Sequence, residues 1–64
     1  MLKINGELSD ESGKSVSDYL NEQGYNPKHI VVEINYEIIP KTKYDDVTFK
    51  DDDVVEIITF MGGG

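Results

Sequence analysis

Sixty-four residues make room for one domain, and a domain that small buries only about 60% of the surface its unfolded chain exposes. Thirteen acidic residues stand against six lysines and no arginine, a net charge of −7, which opposes binding to nucleic acid or to anionic membranes and suits a partner with a basic face. With no cysteine, disulfides, thiolate metal sites, iron–sulfur clusters and thiol nucleophiles are excluded together.

The acidity has a plainer reading as well, since net charge alone keeps a small protein soluble. An enclosed substrate pocket usually needs roughly 300 Å³ or more, so a chain of this size is expected to work inside a partner rather than as an enzyme. His29 is the single histidine and cannot assemble a zinc site from scattered carboxylates. The opening MLKINGE has no apolar leader segment, and no apolar run approaches the about 18 residues of a membrane span, so a cytoplasmic location is expected.

Leu2-Lys3-Ile4-Asn5 alternates apolar and polar and then meets Asn5-Gly6, the pair that supplies the positive φ angles of a type I′ hairpin turn. Glu7–Asp10 is therefore predicted to return as a short strand, and Ser12-Gly13-Lys14 to form a loop. Ser15 suits a helix N-cap, with Asp18 three residues on as a relative of the capping box. Val16 and Leu20 give the helix a short apolar stripe, and Gly24 with Pro27 beyond it marks the stop. A helix of about nine residues does not persist alone in water, so packing must hold it.

Ile30–Asn35 reads as a strand with Ile30, Val32 and Ile34 on one face and Val31, Glu33 and Asn35 on the other. A turn at Asn35-Tyr36 leads to a short strand, Glu37-Ile38-Ile39, which Pro40 ends or confines to an edge. Lys41–Asp46 is polar and irregular. Val47-Thr48-Phe49 and Asp51-Asp52-Asp53 introduce the last strand, Val54–Phe60. One helix between strands at both ends predicts an α+β, ubiquitin-like β-grasp: a mixed sheet of four to five strands with the first and last side by side. The expected core is Leu2, Ile4, Val16, Leu20, Ile30, Val32, Ile34, Val55 and Ile57, with Phe49 closing one end. Residues 1–60 are expected to form the body, and 61–64 a flexible tail.

That tail is Met61 followed by Gly62-Gly63-Gly64. At a background of about 7% glycine, three at the last positions arise by chance about once in several thousand chains. Without a Cβ such a segment is a thin rod with a carboxylate at its tip, reaching roughly 13 Å at about 3.3 Å per residue. A frayed or engineered terminus is the alternative, which glycine also favours. A free carboxylate is unreactive until an enzyme spends ATP to make it an acyl-adenylate; a sulfur donor then displaces AMP and leaves a thiocarboxylate. In a chain without cysteine, the terminal carboxylate is the one place to hold activated sulfur.

The whole chain resembles the ThiS family, the sulfur carriers of thiamine thiazole synthesis. The resemblance rests on Ile4-Asn5-Gly6-Glu7, Ser15–Leu20, Val32–Pro40 (VEINYEIIP), Asp51–Thr59 (DDDVVEIIT) and the Gly62-Gly63-Gly64 end. It implies adenylation of Gly64 by an E1-like (ThiF-like) enzyme, a thiocarboxylate formed with a sulfur donor protein, and delivery inside a thiazole synthase (ThiG-like). Gly62 and Gly63 would pass through the partner's channel, and ATP and magnesium would be bound by the activating partner. Two positions depart from the family pattern: Tyr36 replaces a usual glycine, and Asp52 the glycine of a usual Asp-Gly-Asp. Both bear on turn type, not on the tail.

Ile58 and Phe60 fall on the sheet face opposite Val55 and Ile57, beside Met61. They read as a partner-docking patch or as an edge of the core. Asp45-Asp46 and Asp51–Asp53 lack the spacing of a calcium loop and read as solvated turns. His29 reads as a surface loop residue, and Tyr36 and Tyr44 as partial core or rim. Three other functions stay open: a carrier like the molybdopterin-synthase small subunit, a ubiquitin-like modifier joined through Gly64, and a β-grasp binding module without covalent chemistry.

Overall fold

A computed structural model describes residues 1–60; Met61, Gly62, Gly63 and Gly64, and with them the expected boundary between body and tail, lie outside the described residues. Two short strands, β1 (Leu2–Ile4) and β2 (Glu7–Ser9), precede a helix, α1 (Val16–Gln23). Three strands follow: β3 (Ile30–Ile34), β4 (Glu37–Ile38) and β5 (Val54–Thr59), with single 3₁₀ turns at Pro27–His29 and Lys41–Lys43. The described strands form one mixed sheet in the order β2-β1-β5-β3-β4, with β1 and β5 parallel and every other neighbouring pair antiparallel. The last strand to be made thus lies in the centre, as a β-grasp requires. Among the described residues no helix is long and apolar enough to cross a membrane.

The helix begins and ends on its sequence signals. The Ser15 hydroxyl accepts a hydrogen bond from the Asp18 amide at 3.0 Å, and Gly24 closes the helix at φ 79°, a left-handed conformation that costs glycine little. Val16 and Leu20 are buried by α1 against the inner face of the sheet, where Leu2, Ile4, Ile30, Val32, Ile34, Val55 and Ile57 converge. Phe49 is 1% exposed and meets the Tyr19 ring edge-on, centroids 5.4 Å apart. All ten expected core residues are buried.

Two tyrosines part company from expectation. Tyr44 is 4% exposed and belongs to the core; burial pushes its phenol pKa up, while a bond to the Val32 backbone opposes the shift. Tyr36 is neither core nor rim: it stands 78% exposed at φ 70° in the turn between β3 and β4. The conformation that glycine usually supplies is held here at a steric cost by a bulky residue.

The segment from Lys41 to Asp53 makes no strand, yet it is tied down at both ends. Gly13 and Phe49, Lys14 and Phe49, and Val16 and Val47 exchange main-chain bonds of 2.8 to 2.9 Å, stapling Val47–Phe49 along the entry to α1. The acidic turn is likewise structural: Asp53 accepts from the Lys50 amide and the Asn35 side chain. Asp51 accepts from the Met1 amine and the Ser12 hydroxyl, and that amine first, then the hydroxyl, hold its carboxyl below the usual range.

Candidate functional site

The exit of β5 is where the candidate site must be built, because this strand carries the chain out of the sheet toward Gly64. Two asparagines anchor the first four residues of the strand, from Val54 to Ile57. At the ends of β1 and β3 the backbone turns at Asn5 (φ 52°) and Asn35 (φ 53°), and a left-handed turn aims the main-chain carbonyl away from the ladder. Each side chain takes over. Asn5 Oδ1 accepts from the Ile57 amide at 2.8 Å, and Asn35 Oδ1 accepts from the Val54 amide at 3.0 Å. Their own amides donate to the Val55 and Val54 carbonyls at 2.9 and 2.7 Å. The central strand is therefore gripped on both edges where its neighbours depart. The turns are legible in sequence; the reach of both amides across to β5 is not.

Alternation along β5 then assigns its side chains. Val55 and Ile57 are buried. Glu56, Ile58 and Phe60 fall on the outer face, and Ile58 and Phe60 are 45% and 38% exposed. Both stand outside the buried core cluster, so neither belongs to the described core. Phe60 remains in register, its amide donating to the His29 carbonyl at 3.0 Å.

The register of β3 on β5 brings more residues to this face than sequence reasoning named. Val31 lies opposite Ile58 and Glu33 opposite Glu56, while Ile38 of β4 lies opposite Glu33. Ile38 is 68% exposed. The outer face thus carries Val31, Ile38, Ile58 and Phe60, with two glutamates side by side among them. Periodicity in β3 places Val31 and Glu33 on the outer face; only the register tells which β5 residues they meet. Met61, Gly62, Gly63 and Gly64 follow directly in sequence and lie outside the described residues.

Elsewhere among the described residues no polar or charged residue is buried, and no cluster of His, Asp and Glu is placed to hold a metal ion. An open groove runs beside Ile39, between the β3–β4 turn and Asp46–Lys50. The Asp53 carboxylate there is already engaged by Asn35 and Lys50. What the described geometry offers is a sheet face of mixed apolar and acidic character along the last strand.

Comparisons with known proteins agree in direction. A family model described as "ThiS family" matches residues 2–64. The chain is 39% identical to the sulfur carrier protein ThiS of Bacillus subtilis, covering the whole of both chains. It is 42% identical to a thiazole synthase of Paramagnetospirillum magneticum; there 98% of this chain is covered but only 20% of that protein, so the chain spans about a fifth of its length. The crystal structure of the thiamine biosynthesis protein ThiS from Geobacter metallireducens superposes with a TM-score of 0.78 at 34% identity, covering 98% of this chain and 97% of that one. With the expected β-grasp in place and the match running through Gly64, this chain belongs to the ThiS family.

Proposed function

We propose that this chain is a sulfur carrier of thiamine biosynthesis, not itself a catalyst, and that its working group is the carboxylate of Gly64. The observation that carries the reading is the match over the full length of a named sulfur carrier, on a fold whose central strand leads straight to the Gly62-Gly63-Gly64 end. An E1-like enzyme would bind the ATP and magnesium. The Gly64 carboxylate attacks the α-phosphorus, pyrophosphate leaves, and an acyl-adenylate forms. A hydrosulfide equivalent from a sulfur donor protein adds to the carbonyl carbon, and AMP departs with the C–O bond, leaving the thiocarboxylate. Thiazole synthase is the acceptor, a reading supported by thiazole synthases in which a matching segment occupies one fifth of the protein. The cytoplasm, where ATP is made available to such an enzyme, is the compartment that fits.

Ile58, Phe60 and Met61 form the docking part of the site, and Gly62 and Gly63 the part that threads the partner. A Cβ at Gly63 would widen the chain where a channel must be narrow, whereas Gly62, nearer the body, tolerates more. Incubation with ATP, the activating enzyme and a sulfide source, followed by mass spectrometry with C-terminal fragmentation, tests the reading. The expected product has one oxygen of Gly64 replaced by sulfur. Deleting Gly64 should abolish it and Gly63→Val should slow it severely, with thermal unfolding unchanged in both. Sulfur on any other residue, or full activity without Gly64, would end the proposal.

A further inference from the structure

Covering the outer face of the sheet would take two adjacent carboxylates out of water. The Asn35 amide donates to the Val54 carbonyl and the Phe60 amide to the His29 carbonyl. Hydrogen-bonded pairs alternate between those positions, which makes Glu33 and Glu56 such a pair, with Cα atoms about 5.5 Å apart. Like charges directly opposite each other on one sheet face oppose pairing of the strands. No ion pair among the described residues relieves them: those pairs are Met1–Asp51, Lys14–Glu11 and Lys14–Glu22. Lys3 shares the face but pairs in register with Val54, not with Glu56, and comes within salt-bridge distance of neither glutamate.

Lys3 apart, the residues around the pair are apolar. Val31 and Ile58 lie one step along the two strands, Ile38 lies beside Glu33, and Val54 precedes Glu56. A partner with a purely apolar surface would strand both carboxylates unpaired in a dry interface, which is strongly unfavourable. A second copy of this chain, related by a two-fold axis, would bring two such pairs together and is disfavoured for the same reason. The complement is a flat apolar surface with one fixed cation. A guanidinium suits better than an ammonium, because its planar fork can donate to two carboxylates at once and is less heavily hydrated.

We infer that the thiazole synthase surface seated on this face carries an arginine whose side chain lodges between Glu33 and Glu56, ringed by Val31, Ile38 and Ile58. The inference rests on the docking role proposed above and adds what the partner must bring. It also gives a reason for two carboxylates that work against the isolated fold.

The test is a titration of the thiazole synthase from the same genome with the full chain and its variants, at low and high salt, with thermal unfolding of each variant alone. E33Q/E56Q should weaken binding more than tenfold, since close charge pairs across interfaces couple by about 1.5 kcal/mol or more, and should flatten its salt dependence. The same variant should unfold at an equal or higher temperature. Neutralising the distant turn with D45N/D46N should leave the dissociation rate unchanged. Phe60→Asp, or Ile58→Ser if the first does not fold, reports on docking alone. If those variants abolish binding while E33Q/E56Q binds equally or more tightly, the arginine is refuted and the docking face stands. If they leave binding intact, the docking face fails and the arginine with it. As a final discriminator, one arginine-to-glutamate variant of the synthase should restore binding to Glu56→Lys.

Discussion

Ile57 and Ile58 are neighbours of identical chemistry on the central strand, yet one is 6% and the other 45% exposed. The inner face of β5 holds Val55 and Ile57 against α1, and every large side chain there is apolar. The outer face mixes Ile58 and Phe60 with Glu56, an arrangement no core would accept. Burial on the inner face removes apolar area from water and stabilises the fold by roughly 25 cal/mol per Å². The outer face leaves that area exposed in the free chain, where it contributes little to stability. One strand therefore presents two chemically distinct faces, and the alternation of the pleat keeps them apart.

Truncation should split the two faces most sharply. Ile57→Ala should cost about 2–4 kcal/mol, the usual range for a buried large-to-small change, and lower the midpoint of thermal unfolding by more than about 10 °C in a domain this small. Ile58→Ala should change stability by less than about 1 kcal/mol while weakening partner binding. Equal losses of stability in both would break the comparison. Next in size is the grip on β5 from its edges. Asn35→Ala strands the Val54 amide and Asn5→Ala the Ile57 amide, each at about 1–3 kcal/mol, a loss that denaturant titration should show. Asn5→Asp should recover part of it because a carboxylate also accepts, whereas Asn35→Asp should not, because its second oxygen would face the Asp53 carboxylate to which Asn35 now donates.

Smaller, and of opposite sign, is the effect at the β3–β4 turn. Tyr36→Gly should relieve a left-handed residue that costs about 1–2 kcal/mol, less the entropy that glycine loses on folding, for a net gain of about 0.5–1 kcal/mol. A lower unfolding midpoint would mean that the exposed Tyr36 ring makes a contact worth more than its strain. The smallest change expected is in E33Q/E56Q, where removing the opposed charges should raise stability by about 0.2–1 kcal/mol. A loss there would show the glutamates serving the isolated fold.

What sequence alone determined is local. The N-cap at Ser15, the stop at Gly24 and the turn at Asn5-Gly6 follow from backbone preferences that act within four or five residues; Asn35 favours its turn too, while Tyr36 enters it against its own preference. Alternation along each strand marks one face for the core, so Leu2 through Ile57 and Phe49 could be named as buried before any fold was known. The terminal glycines, with no cysteine anywhere in the chain, direct attention to Gly64 by chemistry rather than shape. Tyr44 and Tyr36 show where such reading stops: both lie in irregular segments without a period, and only packing decides that one fills the core and the other faces water. Glu33 and Glu56 are twenty-three positions apart, and nothing local says they meet. Their meeting depends on the register of β3 on β5, and a slip of one residue would send every side chain to the other face. That register is selected by burying Ile30, Val32 and Ile34 together with Val55 and Ile57, a free energy that exists only once the whole sheet has closed over the helix.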